Sequence, residues 1–166
     1  MPTFAAIDFE TANSSPDSAC AMRLVVVLGQ RIVRREHHLI RPPDPQFAFT
    51  HIHGLAWDDV RDAPTFAELC PALQNVLAAA DFLAAHNASF DRRVLGACCR
   101  THCLPRPARP FVCTVKLART IWSVYPTKLS DICRHLNIPL KHHQADSDAE
   151  ACARIVIAAR KAGWQQ

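Results

Sequence analysis

The sequence has no apolar run long enough to span a bilayer, no charged and apolar leader of the kind removed on export, no internal repeat and no low-complexity tract. A soluble, unexported, cytoplasmic protein without a membrane partner is therefore expected. Charge is also scarce, at 20% of residues against 49% apolar over 166 residues. That is enough to bury one substantial core, and no second hydrophobic unit follows, so a single domain over residues 1–166 is expected. The formal net charge of +4 is mild. It permits a polyanionic partner without demonstrating one, although an acidic metal site would leave the remaining surface more basic than the total suggests. The spaced cysteine pairs of zinc modules are missing too. Eight cysteines are scattered mostly among apolar neighbours and read as free thiols in a reducing compartment. Cys98, Cys99, His102 and Cys103 cluster, but adjacent cysteines plus a CxxxC do not reproduce zinc-module spacing, which leaves a zinc-structured interaction protein as a minor alternative.

What is present is an anomaly near the N-terminus. Phe4-Ala5-Ala6-Ile7-Asp8-Phe9-Glu10-Thr11 reads as a buried strand carrying two acids. Side chains alternate along a strand, so Asp8 and Glu10 share one face while Ile7 and Phe9 point to the other. Two ionised carboxylates removed from water repel each other and each loses several kcal/mol of hydration, which calls for a strong counter-charge such as a divalent cation. These residues alone leave a second reading open, an edge strand whose acids face solvent.

After a turn-rich loop over residues 13–17, the run 24–29 reads as a second strand and 31–40 as a third, antiparallel to it and partly exposed. Phe66, Leu69, Leu73, Val76 and Leu77 mark a helix opened by Pro64 and Thr65, with Pro71 as a kink or an N-terminal boundary. Residues 82–85 fit a short buried strand, followed by a helix through Arg92, Val94, Leu95 and Cys98. A proline-rich connector leads to a short strand at 111–113, a helix from about Val115, a helix over 129–136 and a last helix over about 145–162. The order predicts an α/β fold with a mixed sheet covered by helices on both faces. Asp91, Asp146 and Asp148 fall at helix starts, where each alone reads as a cap or first-turn acid. Together with Asp8 and Glu10 they are the carboxylates, drawn from several elements, that a hard divalent cation requires.

The ordered set FxxIDFET, HNxSFD and HxAxxDA resembles the DEDD superfamily of 3′–5′ exonucleases. The stretch His143-Gln144-Ala145-Asp146-Ser147-Asp148-Ala149 places a histidine five residues before an aspartate, as in the histidine-bearing, DnaQ-like branch. His51-Ile52-His53-Gly54-Leu55 is similar to the IHGL/VHGI segment of the relatives of the bacterial DNA polymerase III proofreading subunit, and the chain as a whole looks like the stand-alone exonucleases related to that subunit. Order and spacing match from about residue 3 to residue 160.

The resemblance implies a ribonuclease H-like fold with a five-stranded mixed sheet and hydrolysis of 3′-terminal phosphodiester bonds with two divalent cations, Mg²⁺ or Mn²⁺. Carried over by motif, Asp8, Glu10, Asp91 and Asp148 are the metal ligands, with Asp8 as the bridge, and His143 is the general base, its ordinary pKa suiting proton removal from water near neutral pH. Thr11, Ala12, His53 and Leu55 are implied contacts to the terminal nucleotide, with Asn87 and Phe90 as further candidates. Phe90 would stack on a base, its alternative being core packing. Arg92, Arg93, Lys128 and Lys141 are candidates to hold the strand.

The expected partner is the 3′ end of a nucleic acid, single-stranded DNA ahead of RNA, with release of nucleoside 5′-monophosphates. The alternatives are an RNA-trimming or oligoribonuclease-like enzyme, or a silent binding module. No tail follows the last helix that could dock a polymerase, so dedicated proofreading is not expected unless a partner binds the body of the domain. A homodimer is compatible with the sequence.

Overall fold

The computed structural model describes residues 3–140 and 147–166. Its centre is a five-stranded sheet of β1 (Thr3–Thr11), β2 (Ala19–Leu28), β3 (Arg31–Leu39), β4 (Phe82–Ala85) and β5 (Phe111–Cys113), in the order β3-β2-β1-β4-β5. The first three strands form an antiparallel meander, and β4 and β5 add in parallel. Two short helices, α1 (Thr50–His53) and α2 (Trp57–Val60), precede α3 (Phe66–Ala79). Then come α4 (Ser89–Thr101), α5 (Thr114–Trp122), α6 (Leu129–His135) and α7 (Ser147–Lys161). This is the α/β mixed sheet that the sequence predicts, and among the described residues no helix is long and apolar enough to cross a membrane.

The strand alternation divides the core into two layers. Ala5, Ile7 and Phe9 pack with Leu73, Leu77, Val94 and Leu95 of α3 and α4, whereas Phe4 and Ala6 pack with Cys152, Ala153 and Val156 of α7. Phe4 stacks on Phe82 at 5.0 Å between ring centroids. Each fully buried ring contributes roughly 1.5–3 kcal/mol through removal of its apolar surface from water. Thr65 caps α3 in a reciprocal pair with Glu68: the Glu68 N–H donates to Thr65 Oγ1, and the Thr65 N–H donates to Glu68 Oε2 at 2.7 Å. Pro71 sits inside α3 rather than at its boundary.

Two boundaries differ from expectation. The second strand begins at Ala19, not Leu24, because Ala19 and Ala21 to Arg23 pair with β1, with a register shift at Cys20. Helices α1 and α2 were not predicted. They are only four residues each and are held by a small apolar cluster of Ala12, Cys20 and Val60 with Leu55 and Trp57, a long-range contact that local periodicity does not reveal.

All eight cysteines are free. The residues of the suggested zinc cluster have separate surroundings: Cys98 and Cys99 are in the core, His102 stacks on Phe66, and Cys103 is exposed.

Candidate active site

The antiparallel register explains how the acids are held. Phe4 faces Val27, Ala6 faces Val25, Asp8 faces Arg23 and Glu10 faces Ala21. Cross-strand partners share a face, so the apolar ladder turns polar halfway along. Arg23 Nη1 donates to Asp8 Oδ2 at 2.9 Å and to Glu10 Oε1 at 3.1 Å. The small Ala21 opposite Glu10 leaves the guanidinium room to reach both. Just beyond Glu10 the register shifts, and the bulge ends regular pairing where β1 delivers Thr11.

Asp91 enters from the first turn of α4 and is 3% exposed. Its Oδ1 accepts the Phe9 N–H at 3.0 Å, tying the helix to the acid-bearing strand. Asp148 stands exposed in the first turn of α7. Burial, then the Glu10 charge, pushes Asp8 up to about 7; Arg23 opposes the shift, and the Asp148 charge adds to it. Asp91 is also raised well above the ordinary carboxylate range, by burial first and then by Asp8. The charges of Glu10 and Asp148 thus bear on Asp8, and those of Asp8 and Glu10 bear on Asp91. His143 lies outside the described residues, as do Lys141, His142 and Asp146.

Arg23 is the participant that sequence reasoning missed. Its side chain is 10% exposed, and its Nε is buried without a partner among the described residues. A signal for it exists, since extending the alternation of Val27 and Val25 back by two residues places Arg23 on the acid face. His86 was also passed over as a site residue. Its Nδ1 is 2.9 Å from Thr114 Oγ1, and burial holds its pKa down while Asp148 opposes. Cys152 is buried near Asp8 and Asp91, and burial first, then the Asp8 charge, keeps its thiol protonated.

The expected substrate contacts have mixed surroundings. Gly54, at φ 81, ends α1 in a left-handed turn that brings the Leu55 N–H back to His53 Nδ1 at 3.1 Å. That bond leaves the proton on Nε2, which donates to the Thr11 carbonyl at 3.1 Å. Thr11, His53 and Leu55 thus form one unit beside the acids. Ala12 is fully buried, its N–H donating to Ser18 and its carbonyl accepting from Ala48 and Phe49, so both of its backbone polar groups are engaged internally. Asn87 is exposed at φ 56 before α4. Phe90 is half-buried against the core, with the Arg93 guanidinium 5.9 Å from its ring centre.

A family model described as Exonuclease, the RNase_T family, matches residues 5–156. The chain belongs to this exonuclease family. It is an α/β, DnaQ-like 3′–5′ exonuclease acting on nucleic acid. It is 32% identical to DNA polymerase III PolC-type of Oceanobacillus iheyensis over 159 residues, which are 93% of this chain and 11% of that protein. The corresponding protein of Thermotoga maritima is 27% identical over 93% of this chain and 12% of its own length. The chain thus spans about a tenth of these polymerases. A structure of Exonuclease X in complex with 5′ overhanging duplex DNA superposes with TM-score 0.78 at 28% identity, covering 98% of this chain and 94% of that one. A 3′-exonuclease structure concerned with recognition of a histone mRNA stem-loop has TM-score 0.81 at 18% identity, covering 97% and 82%, a likeness of fold.

Exonucleases of this family generally use divalent metal ions, and the donor set fits one. Asp8, Glu10, Asp91 and Asp148 offer only hard carboxylate oxygens, the chemistry preferred by Mg²⁺ and Mn²⁺. Against them stands one guanidinium, which is too little positive charge to keep Asp8 and Asp91 at ordinary carboxylate pKa values. Among the described residues no three His, Cys, Asp or Glu side chains are already placed together to hold a metal ion. Asp8 and Glu10 are instead turned onto Arg23.

Proposed function

We propose that this exonuclease hydrolyses the 3′-terminal phosphodiester bond of single-stranded DNA and releases nucleoside 5′-monophosphates. The reading rests chiefly on one observation: Asp8, Glu10, Asp91 and Asp148, from three different elements, come together around β1, where the Glu10 and Asp148 charges add to the burial that raises Asp8, and the Asp8 and Glu10 charges add to the burial that raises Asp91. Such an arrangement has no structural benefit, since an apolar set would pack there without repulsion. Asp8, Glu10, Asp91 and Asp148 would hold two Mg²⁺ or Mn²⁺ ions, Asp8 touching both. When bound, the ions would stabilise the attacking and leaving oxygens of an in-line displacement.

The remaining work falls to this chain's own groups. His143, on motif grounds, takes the proton from the attacking water, a role suited to an imidazole near neutral pH. Thr11, with its carbonyl fixed by His53, and Leu55 position the terminal nucleotide. Asn87 and Phe90 border it from the α4 side, and Ala12, buried with both backbone polar groups engaged, supports Thr11 from behind rather than touching the nucleotide. DNA is favoured over RNA because the relatives with 27–32% identity are DNA polymerases and a nuclease bound to DNA.

A 5′-labelled oligonucleotide incubated with Mg²⁺ or Mn²⁺ should shorten one nucleotide at a time from its 3′ end, and a chelator should stop it. Faster shortening of RNA than of DNA of the same sequence would overturn the substrate assignment. Shortening that survives chelation would overturn the metal assignment.

A further inference from the structure

A cleft of about 570 Å³ runs from Asn87 and Ser89, at the start of α4, along that helix to Arg100, with Phe111 and Cys113 of the edge strand β5 in its lining. Its charged lining is entirely basic: Arg92, Arg93 and Arg100 from α4, Arg106 from the proline-rich connector, and Lys116 and Arg119 from α5. Several arginines elsewhere sit beside acids, as Arg35 does with Glu150, Arg61 with Asp58 and Arg154 with Glu150. Among the described residues none of the cleft's cations has a carboxylate within 4.0 Å.

The cations also converge. Gly96 of α4 is buried beneath them, and the point where a Cβ would stand lies 3.5 Å from Arg100 Nη1 and 3.6 Å from Arg106 Nη1. Two guanidinium groups from separate elements thus close over one spot with no acid between them. Solvated surface arginines splay apart to reduce repulsion, so this arrangement suits a bound anion. The planar fork of arginine matches a phosphate, and the half-apolar floor suits the sugar and base edges of a strand.

We infer that this cleft binds the phosphate backbone of the substrate strand upstream of the nucleotide being removed. The inference rests on the exonuclease reading of the acids: Asp91 projects into the acid cluster from the same α4 turn at which the cleft opens. A strand leaving the acids meets Arg92 and Arg93 first, then the Arg100–Arg106 pair. The distance along α4 from its first turn to Arg100 is about 15–20 Å, enough for several consecutive phosphates. Long substrates are thus held by the cleft, and very short ones by the Thr11 and His53 region alone.

The test uses the full chain carrying Arg100→Ala and Arg106→Ala together, both exposed positions. Binding of fluorescein-labelled single-stranded DNA of three and of fifteen nucleotides is followed by anisotropy in chelator across a salt series. Wild type should bind the longer probe more tightly. The double variant should lose about tenfold or more on the longer probe, with a salt slope shallower by about 1.4, and leave the short probe unchanged. A companion variant, Gly96→Asp, places a carboxylate between the two guanidiniums and should produce the same loss while keeping both arginines. Unchanged affinity and slope for the longer probe in both variants would overturn the proposal, as would an equal loss on the short probe. Failure of the exonuclease reading shows separately, as no shortening of either probe by wild type with Mg²⁺ or Mn²⁺.

Discussion

Two arginines close opposite ends of one face of β1. At the apolar end Arg160 of α7 lies 5.1 Å from the Phe4 ring centre and 5.3 Å from that of Phe82, and its Nη1 donates to the Gly29 carbonyl at 3.1 Å. At the acidic end Arg23 of β2 bridges Asp8 and Glu10. Arg160 covers hydrocarbon that is already packed, and its charge answers no buried partner. Arg23 neutralises groups that would otherwise repel, and in doing so occupies the oxygens that a metal needs. The same residue type on the same face is thus a clasp at one end and a competing ligand at the other, a difference set by what the strand offers two residues further along.

The comparison is broken most completely at Asp8. Asp8→Asn should reduce nuclease turnover by about a thousandfold or more, because the ligand proposed to touch both cations is lost. The metal-free fold should survive and change its pH response. Asp8 and Asp91 are raised in the folded state, so their contribution to stability is complete below about pH 4 and is lost as pH rises through about 7 for Asp8. Urea unfolding of metal-free wild type should therefore show falling stability across that window, by at most about 1.4 kcal/mol per pH unit for each carboxyl. Asp8→Asn should flatten the fall. A wild-type protein that grows steadier from pH 5 to 7 without metal would show that Arg23 outweighs the burial of the acids.

Next in size is the histidine. His143→Ala should lower turnover by about 10²–10⁴, the range for loss of a general base, whereas His142→Ala should change it only a few-fold. Equal losses in single-turnover assays would remove the assignment.

Arg23→Met tests the acidic clasp directly. Without metal it should destabilise the fold by about 1–3 kcal/mol, less than the loss of a fully buried pair, because Asp8 and Glu10 are 25% and 24% exposed. With Mn²⁺ the order should reverse: titration calorimetry should give binding about tenfold tighter than wild type, since the cation no longer displaces a guanidinium. Unchanged Mn²⁺ affinity would mean that Arg23 accompanies the ion rather than competing with it.

Much of this was legible in the sequence, and the residues show why. Strand alternation put Asp8 and Glu10 on one face, because a side chain's direction follows from local periodicity, whereas Asp91 and Asp148 were singled out by the motif resemblance, their helix-start positions alone reading as caps. Arg23 was passed over despite the alternation that points to it, since the second strand was expected only from the β-branched run at Leu24, and Ala19 to Met22 carry weak strand propensity. Pairing with β1 is what extends the strand. The basic cleft was not legible, because Arg106 comes from a connector whose path no periodicity fixes. The engagement of both Ala12 backbone groups by Ser18, Ala48 and Phe49 depends likewise on contacts distant in sequence.

The smallest expected effect lies at the apolar clasp. Arg160→Ala removes a guanidinium spanning two rings and one carbonyl bond, worth about 1 kcal/mol together at a half-exposed site. The loss should appear equally in urea unfolding with and without Mn²⁺, and Mn²⁺ affinity and turnover should match wild type. That independence from metal separates the two ends, because Arg23→Met should lower stability in one condition and raise metal affinity in the other. If Arg160→Ala tightened Mn²⁺ as much as Arg23→Met does, the gain would come from net charge acting over the whole face. The contact of Arg23 with Asp8 and Glu10 would then lose its special role.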